Sequence, residues 1–219
     1  MTASSASLNI YQLRVVLRGI SPLIWRRLLV RSDTTLAHLH TILQIVFAWG
    51  DEHLYSFHIH GREYGSSGAQ TRHVLLSDLC LHRGERFRYV YDFMANWECD
   101  IRLEAFLPLA SQRVYPLCIS GKHAAPPEDC QGVWAYMERL DQHRLYPPFE
   151  AMGVVADAIS TLLHANQQTS VRAALGDLEE LREAVDCLDT YQQFQPEYFD
   201  RRELNAQLQS RLWYGEETP

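Results

Sequence analysis

The stretch that decides the fold runs from residue 11 to residue 50 and reads YQLRVVLRGISPLIWRRLLVRSDTTLAHLHTILQIVFAWG. Apolar residues occupy every second position from Tyr11 to Leu17, which is the period of a half-buried β-strand. Gly19 marks a turn, and the alternation resumes between Ser21 and Arg31. The two segments therefore predict a β-hairpin at the start of this stretch.

The apolar period changes from two to that of a helix after Ser32. One helical face collects six apolar side chains, Leu36, Leu39, Ile42, Leu43, Val46 and Phe47. Asp33 or Thr34 is placed to cap this helix at its start, and Gly50 is placed to end it. This pattern predicts one amphipathic helix directly after the hairpin.

Alternation returns in three later segments, HLYSFHIHGREYG (53–65), ERFRYVYDF (85–93) and NWECDIRLEAF (96–106). The order strand, strand, helix, strand, strand resembles the ubiquitin-like β-grasp, a resemblance that implies a fold and no conjugation chemistry. We expect an α+β protein with a β-grasp-like mixed sheet, one packed helix, an extra strand and a C-terminal group of helices. The sheet region should cover residues 1–110, and the helical region packed on it in one compact domain should cover residues 111–219.

Composition narrows the class of protein. The chain has 219 residues, of which 47% are hydrophobic and 21% charged, and this is ordinary for a globular protein. It has no apolar run of about 18 residues and no secretion-signal pattern at its start, so we expect a cytoplasmic protein with no membrane partner. Its five cysteines form no CxxC pair, which favours reduced thiols over a disulfide framework.

Five segments in this order resemble the plasmid pRiA4b ORF-3-like family: PLIWRRLLV, TLAHLHTILQIVFAWGDEHLYSFHIHGREYG, YVYDFMANWECDIRLE, YPLCISGKHAAPPEDCQG and EYFDRRELNAQL. Members of that family include passenger proteins of insertion elements. The resemblance implies a compact α+β domain and a link to plasmids and other mobile DNA, and it implies no established reaction. The chain departs from the family pattern Tyr-Asp-Phe-Gly-Asp-x-Trp-x-His, because Met94, Ala95 and Cys99 replace its Gly, Asp and His. Ala125 stands where a cysteine often precedes Pro-Pro-Glu-Asp.

The segment AAPPEDCQGVWAY (124–136) supplies one candidate site. In the simpler interpretation, Pro126 and Pro127 start a helix and the carboxylates of Glu128 and Asp129 lie near its positive N-terminus. In the alternative, Glu128 and Asp129 join Asp92 and Trp97 in a binding site.

A second candidate is a zinc site formed by Cys99, Cys118, His123 and Cys130, since all four are residues that zinc accepts as ligands. The alternative is that the cysteines are ordinary buried side chains. Zinc is accordingly a possible cofactor.

The third candidate is a basic sheet face. Arg14, Arg27 and Arg88, with Arg18, Arg31 and Arg86, should project from the face opposite the helix, on a chain whose formal net charge is −7. Either the acidic C-terminal helices cover this face, which the apolar Trp25 and Leu29 favour, or it stays open and binds an acidic protein or nucleic-acid phosphates. The covered arrangement predicts negligible affinity for DNA.

Two functions follow from these patterns. The first is a non-enzymatic binding or adaptor domain of mobile elements with a protein partner, nucleic acid being less favoured. The second is a zinc-dependent enzyme or a nucleic-acid-acting protein that uses the region of Asp92, Cys99, Cys118, Glu128, Asp129 and Cys130. The sequence has no serine-hydrolase elbow and no phosphate-binding loop. It therefore assigns no catalytic residue and favours the first function.

Overall fold

The computed structural model describes residues 8–65, 69–164 and 177–213. In these residues, the strands are β1 (Asn9–Leu17), β2 (Trp25–Arg31), β3 (Tyr55–Ile59), β4 (Arg62–Gly65), β5 (Arg86–Tyr91), β6 (Trp97–Pro108) and β7 (Leu117–Lys122). The helices are α1 (Leu36–Phe47), α2 (Val133–Leu145), α3 (Phe149–His164), α4 (Leu178–Gln193) and α5 (Arg201–Trp213), and short 3-10 turns lie at Ala69–Arg72 and Leu76–Leu79. The expected α+β class is confirmed.

The strands form one sheet in the order β4-β3-β5-β6-β1-β2-β7, and every neighbouring pair of these strands is antiparallel. The prediction of a mixed sheet is therefore wrong. β6 follows β5 through a short connection and so runs antiparallel to it. Strand β6 also pairs with β1, and this pair is antiparallel. A parallel strand beside β1 would have required a longer crossover connection.

The predicted hairpin and helix are confirmed, but the helix ends differ from the prediction. Thr35 caps α1 by accepting a hydrogen bond from the backbone N–H of His38, at 3.1 Å. Asp33 does not cap the helix, since its carboxylate accepts a hydrogen bond from the guanidinium of Arg31 instead. At the other end the chain turns at Ala48, whose φ of 55° is left-handed, two residues before Gly50.

Strand β7 is a part of the sheet that the sequence pattern did not predict, and it lies beyond residue 110. Its free edge is occupied by α5, where the Asn205 side chain accepts from the backbone N–H of Cys118 at 2.8 Å and donates to its carbonyl at 2.9 Å. The guanidinium of Arg201 donates to the carbonyl of Ile119. These side chains satisfy backbone groups that would otherwise leave an unpaired sheet edge.

The chain divides into two compact units. The first comprises the described residues up to Met137 together with those from Pro196 onward, so it holds the whole sheet, α1 and α5. The second comprises residues 138–195, in which α3 packs on α4. The helices of the described residues include none that is long and apolar enough to cross a membrane.

Candidate functional site

Three loops of the first unit meet around Glu128 and Gly132. We call this place the loop junction, formed by residues 48–54, 92–96 and 124–132. The Glu128 carboxylate accepts hydrogen bonds from the backbone N–H of Gly50 and from the hydroxyl of Tyr91. The indole N–H of Trp49 donates to the carbonyl of Pro126 at 3.2 Å. The Pro126 carbonyl and the Glu128 carboxylate therefore tie the third loop to the first loop and to the end of β5.

The expectation that Pro126 and Pro127 start a helix, with the carboxylates of Glu128 and Asp129 near its N-terminus, is wrong. Helix α2 starts at Val133, and its first turn contains no acidic residue. Gly132 adopts a φ of +94° and lies against the carbonyl of Ala95, so the chain turns sharply between the two acidic residues and the helix. The turn sends Glu128 into the loop junction, while Asp129 is exposed.

The other residues predicted to join this site lie beside it. Asp92 is buried with a left-handed φ of 52°, and its carboxylate accepts from the N–H of Met94 at 3.0 Å. Trp97 is fully buried and stacks on Trp49, with 6.0 Å between ring centroids. Burial, followed by the hydrogen bond to Glu128, raises the pKa of Tyr91. The Tyr91 hydroxyl donates to the Glu128 carboxylate, so this pair is a structural cross-link between the end of β5 and the third loop.

A second buried polar network beside α1 was missed by sequence reasoning. In it the N–H of Asp51 donates to the Gln44 side chain (3.1 Å), and the Gln44 amide donates to the Tyr89 hydroxyl (2.9 Å). Tyr89 is 2.7 Å from Nδ1 of His40, and Nε2 of His40 is 2.6 Å from the Asp51 carboxylate. A closed ring of four hydrogen bonds results when His40 is neutral and protonated on Nε2. The available signal was the spacing of His40 and Gln44, four residues apart on one helix face.

We expect this ring to make stability depend on pH. Burial lowers the pKa of His40, and the opposing effect of its hydrogen bond to the Asp51 carboxylate is smaller. A histidine whose folded pKa lies below its unfolded value of about 6.5 contributes stability above that pH, and this stability is lost as pH falls through the folded pKa. A proton on Nδ1 would also displace the hydrogen bond from Tyr89. The free energy of unfolding should therefore fall between pH 7.5 and pH 5.5, by at most about 1.4 kcal/mol per pH unit for one proton.

Urea unfolding of a His40→Gln variant tests this prediction. The variant should lose this part of the pH dependence, whatever its stability at neutral pH. His38→Gln, on the exposed side of the same helix, should keep it. An unchanged slope in His40→Gln would contradict the prediction.

The structure does not assemble the predicted zinc ligands into a metal site. Burial raises the pKa of the Cys99 thiol, which is fully buried, and the Cys118 thiol donates to the carbonyl of Ser120 at 3.4 Å. Both ring nitrogens of His123 are engaged, one with the carbonyl of Leu23 at 3.0 Å and the other with Glu197 at 2.8 Å. Cys130 is buried. Across residues 8–65, 69–164 and 177–213, no group of three or more His, Cys, Asp or Glu residues is placed to hold a metal ion.

Arginines line the sheet face opposite α1, as the alternation predicted. Pairing places Arg27 of β2 opposite Arg14 of β1, Arg14 opposite Arg102 of β6, and Arg102 opposite Arg86 of β5. We call this row of four side chains across four neighbouring strands the arginine ladder. Arg102 was not among the residues predicted for this face, and only the strand order shows that it lies between Arg14 and Arg86.

Among the described residues, carboxylates form an ion pair with only one member of the ladder. The Arg27 guanidinium binds Glu104 at 2.6 Å, which also lowers the pKa of that carboxyl. Arg14 stacks over Trp25 at 5.1 Å, and its Nε is buried without a hydrogen-bond partner among the described residues. Among those residues, Arg86 and Arg102 form no ion pair. Elsewhere on this face, Arg18 and Arg88 both lie near Glu98, at 2.7 and 3.5 Å.

The C-terminal helix of the first unit, α5, does not provide the expected cover of this face. Arg86, Arg88 and Arg102 are exposed, and Arg14 and Arg27 are half-buried. In the first unit, α5 packs against α1 and β7. The apolar Trp25, which suggested a cover, is shielded locally, because the guanidinium groups of Arg14 and Arg27 lie over its ring. Leu29 is buried.

Fold and surface together define an α+β protein built on one antiparallel sheet with an open basic face. The chain belongs to the plasmid pRiA4b ORF-3-like protein family, whose profile matches residues 9–145. It is 30% identical over 138 residues to the uncharacterized protein y4hQ of Sinorhizobium fredii, a match that covers 59% of this chain and 71% of that protein.

A solved structure is similar as well. The crystal structure of the protein of unknown function MM3350 from Methanosarcina mazei Go1 superposes with a TM-score of 0.61 at 30% sequence identity. The match covers 90% of this chain and 97% of that one. The names of both relatives assign them no function.

Proposed function

We propose that the protein is a non-enzymatic binding module whose open sheet face holds an acidic segment of a protein partner. The observation that carries the proposal is the arginine ladder, in which Arg14, Arg102 and Arg86 lie on three adjacent strands. Guanidinium groups are suited to planar, bidentate contacts with carboxylates. The groups most suited to chemistry, Glu128 and His40, are instead bound to neighbouring side chains and backbone.

The arginine ladder carries a cost for the fold. Like charges directly opposite each other on neighbouring strands destabilise a sheet, by about 0.2–1 kcal/mol for each pair. Arg102 lies between two other arginines. A surface that retains such a row supports a binding role, because binding sites commonly give up some stability.

The variant Arg102→Thr should be more stable than the parent. Threonine suits a strand and removes both repulsive pairs. We expect the free energy of unfolding to rise by about 0.5–1 kcal/mol, measured by urea denaturation at low salt. The gain should shrink at high salt, since salt screens the repulsion between exposed charges. A loss of stability in the variant would contradict this account of the ladder.

Nucleic acid fits this face less well than an acidic protein segment. Glu98, Asp100 and Glu104 lie on the same face of β6 as Arg102. They would repel a continuous phosphate backbone, whereas separate carboxylates of a protein can be placed between them. The net charge of −7 also opposes long-range attraction of DNA.

Fluorescence anisotropy with a labelled oligoglutamate peptide tests the proposal. The double variant Arg86→Gln/Arg102→Gln should bind at least about tenfold more weakly than the parent, equivalent to about 1.4 kcal/mol. The matched control Arg62→Gln/Arg72→Gln removes the same charge from exposed positions outside the ladder and should bind like the parent. Equal losses in both double variants would show that net charge alone attracts the peptide, and absence of binding by the parent would overturn the proposal.

We further infer that the hairpin, α1 and the adjoining strands are a variant of the β-grasp. The order β1, β2, α1, β3 supports this classification, with β6 added beside β1. The family's link to plasmids supports an adaptor role on mobile elements.

A further inference from the structure

We infer that the bound segment is an acidic helix lying along the arginine ladder, across the strands. This inference rests on the proposed function and specifies the conformation of the partner. It follows from the spacing of the four guanidinium-bearing positions on β2, β1, β6 and β5.

The spacing of the ladder is that of the sheet itself. Neighbouring strands lie about 4.8 Å apart, so the three steps from Arg27 to Arg86 span about 14 Å. On a helix, residues of one face recur every 3.6 residues, or about 5.4 Å, and three steps span about 16 Å. On an extended strand, side chains of one face recur about every 6.6 Å, and three steps span about 20 Å. The helix mismatch of about 2 Å is smaller than the strand mismatch of about 6 Å, so a helix matches the spacing of the ladder more closely.

The surroundings of the ladder add a second recognition element. The guanidinium groups of Arg14 and Arg27 both lie over the Trp25 ring, at 5.1 and 5.4 Å from its centroid. Stacking on the indole holds both groups on this face, which reduces the ordering cost when a carboxylate binds. The buried Nε of Arg14 has no acceptor among the described residues.

Two peptides of identical composition test the inference. Both are alanine-rich and carry four glutamates. In the first, the glutamates occupy positions i, i+4, i+7 and i+11 and share one helical face; in the second, they occupy every second position and spread around the helix. The parent should bind the first peptide about tenfold more tightly, and circular dichroism should show that its helix content rises on binding. The preference should disappear in Arg86→Gln/Arg102→Gln and persist in Arg62→Gln/Arg72→Gln.

A charge exchange makes the test independent of overall charge. Arg102→Glu should weaken binding of the first peptide, and replacing one of the inner glutamates of that peptide by lysine should restore it. The same lysine peptide should bind the parent more weakly.

The outcomes separate the two proposals. Equal affinity for both peptides would overturn the helix inference and leave the proposed function standing. Binding of neither peptide would overturn the proposed function. A short DNA duplex that binds more tightly than both peptides, with affinity lost in Arg86→Gln/Arg102→Gln, would replace both proposals with a nucleic-acid site.

Discussion

Replacing Gly132 by alanine should lower the free energy of unfolding by about 3 kcal/mol. Gly132 has a φ of +94°, where a side chain is strained by about 1–3 kcal/mol. A Cβ at this position would also lie 2.5 Å from the carbonyl oxygen of Ala95, and that atom belongs to the backbone. Relief would therefore require the turn at residues 92–96 to move away from the start of α2. Urea denaturation of the variant measures the loss.

Two other glycines separate the contributions to this effect. Gly61 also has a positive φ, +73°, but a Cβ there would meet nothing within 4 Å, so Gly61→Ala should cost only about 1 kcal/mol of strain. Gly153 lies inside α3, has open space around it and should gain about 0.5–1 kcal/mol as alanine. A cost for Gly132→Ala equal to that for Gly61→Ala would show that the Ala95 contact yields easily, contradicting the tight packing of the loop junction.

The second large effect is expected for Glu128→Ala, at about 2–3 kcal/mol. The substitution removes the acceptor of the Gly50 N–H and of the Tyr91 hydroxyl. Hydrogen bonds to a charged group contribute about 1.5–3 kcal/mol each, and the Tyr91 hydroxyl lies on a fully buried ring. Because the Gly50 contact is exposed, we expect the total to lie at or just below the lower end of the simple sum of about 3–6 kcal/mol.

Asp129→Ala is the matched control, because it removes the neighbouring carboxylate, which is exposed. It should change the free energy of unfolding by no more than about 0.5 kcal/mol. Tyr91→Phe completes a double-mutant cycle, in which the loss from Glu128→Ala should be smaller in the Tyr91→Phe background by about 1 kcal/mol or more. Additive losses would show that Tyr91 and Glu128 do not interact, and the loop junction would then need another explanation.

The strands and the first helix could be predicted because side-chain periodicity is a local property. Leu13, Val15 and Leu17 alternate whatever strand pairs with them, and the helical face of α1 repeats within its own segment. The segment LCISGK of β7 shows no such alternation, since Ser120 and Gly121 interrupt it. It becomes a strand because β2 offers it hydrogen-bonding partners and α5 occupies its free edge.

The candidate sites likewise divide into features that local periodicity predicts and features that depend on contacts between distant segments. Alternation within each strand was enough to place Arg14, Arg27 and Arg88 on one sheet face. Motifs within the chain were enough to establish the family resemblance. Glu128 binds Gly50 and Tyr91, which lie 78 and 37 residues away along the chain, so no local pattern could connect them.

The sequence by itself determined the strand and helix periods, the acidic net charge and the placement of arginines on one side of the sheet. Only the tertiary structure decided that β6 lies between β1 and β5 and brings Arg102 between Arg14 and Arg86. The physical reason is that periodicity depends on neighbouring residues, whereas strand order depends on which distant segments can satisfy each other's backbone hydrogen bonds and bury a common apolar face.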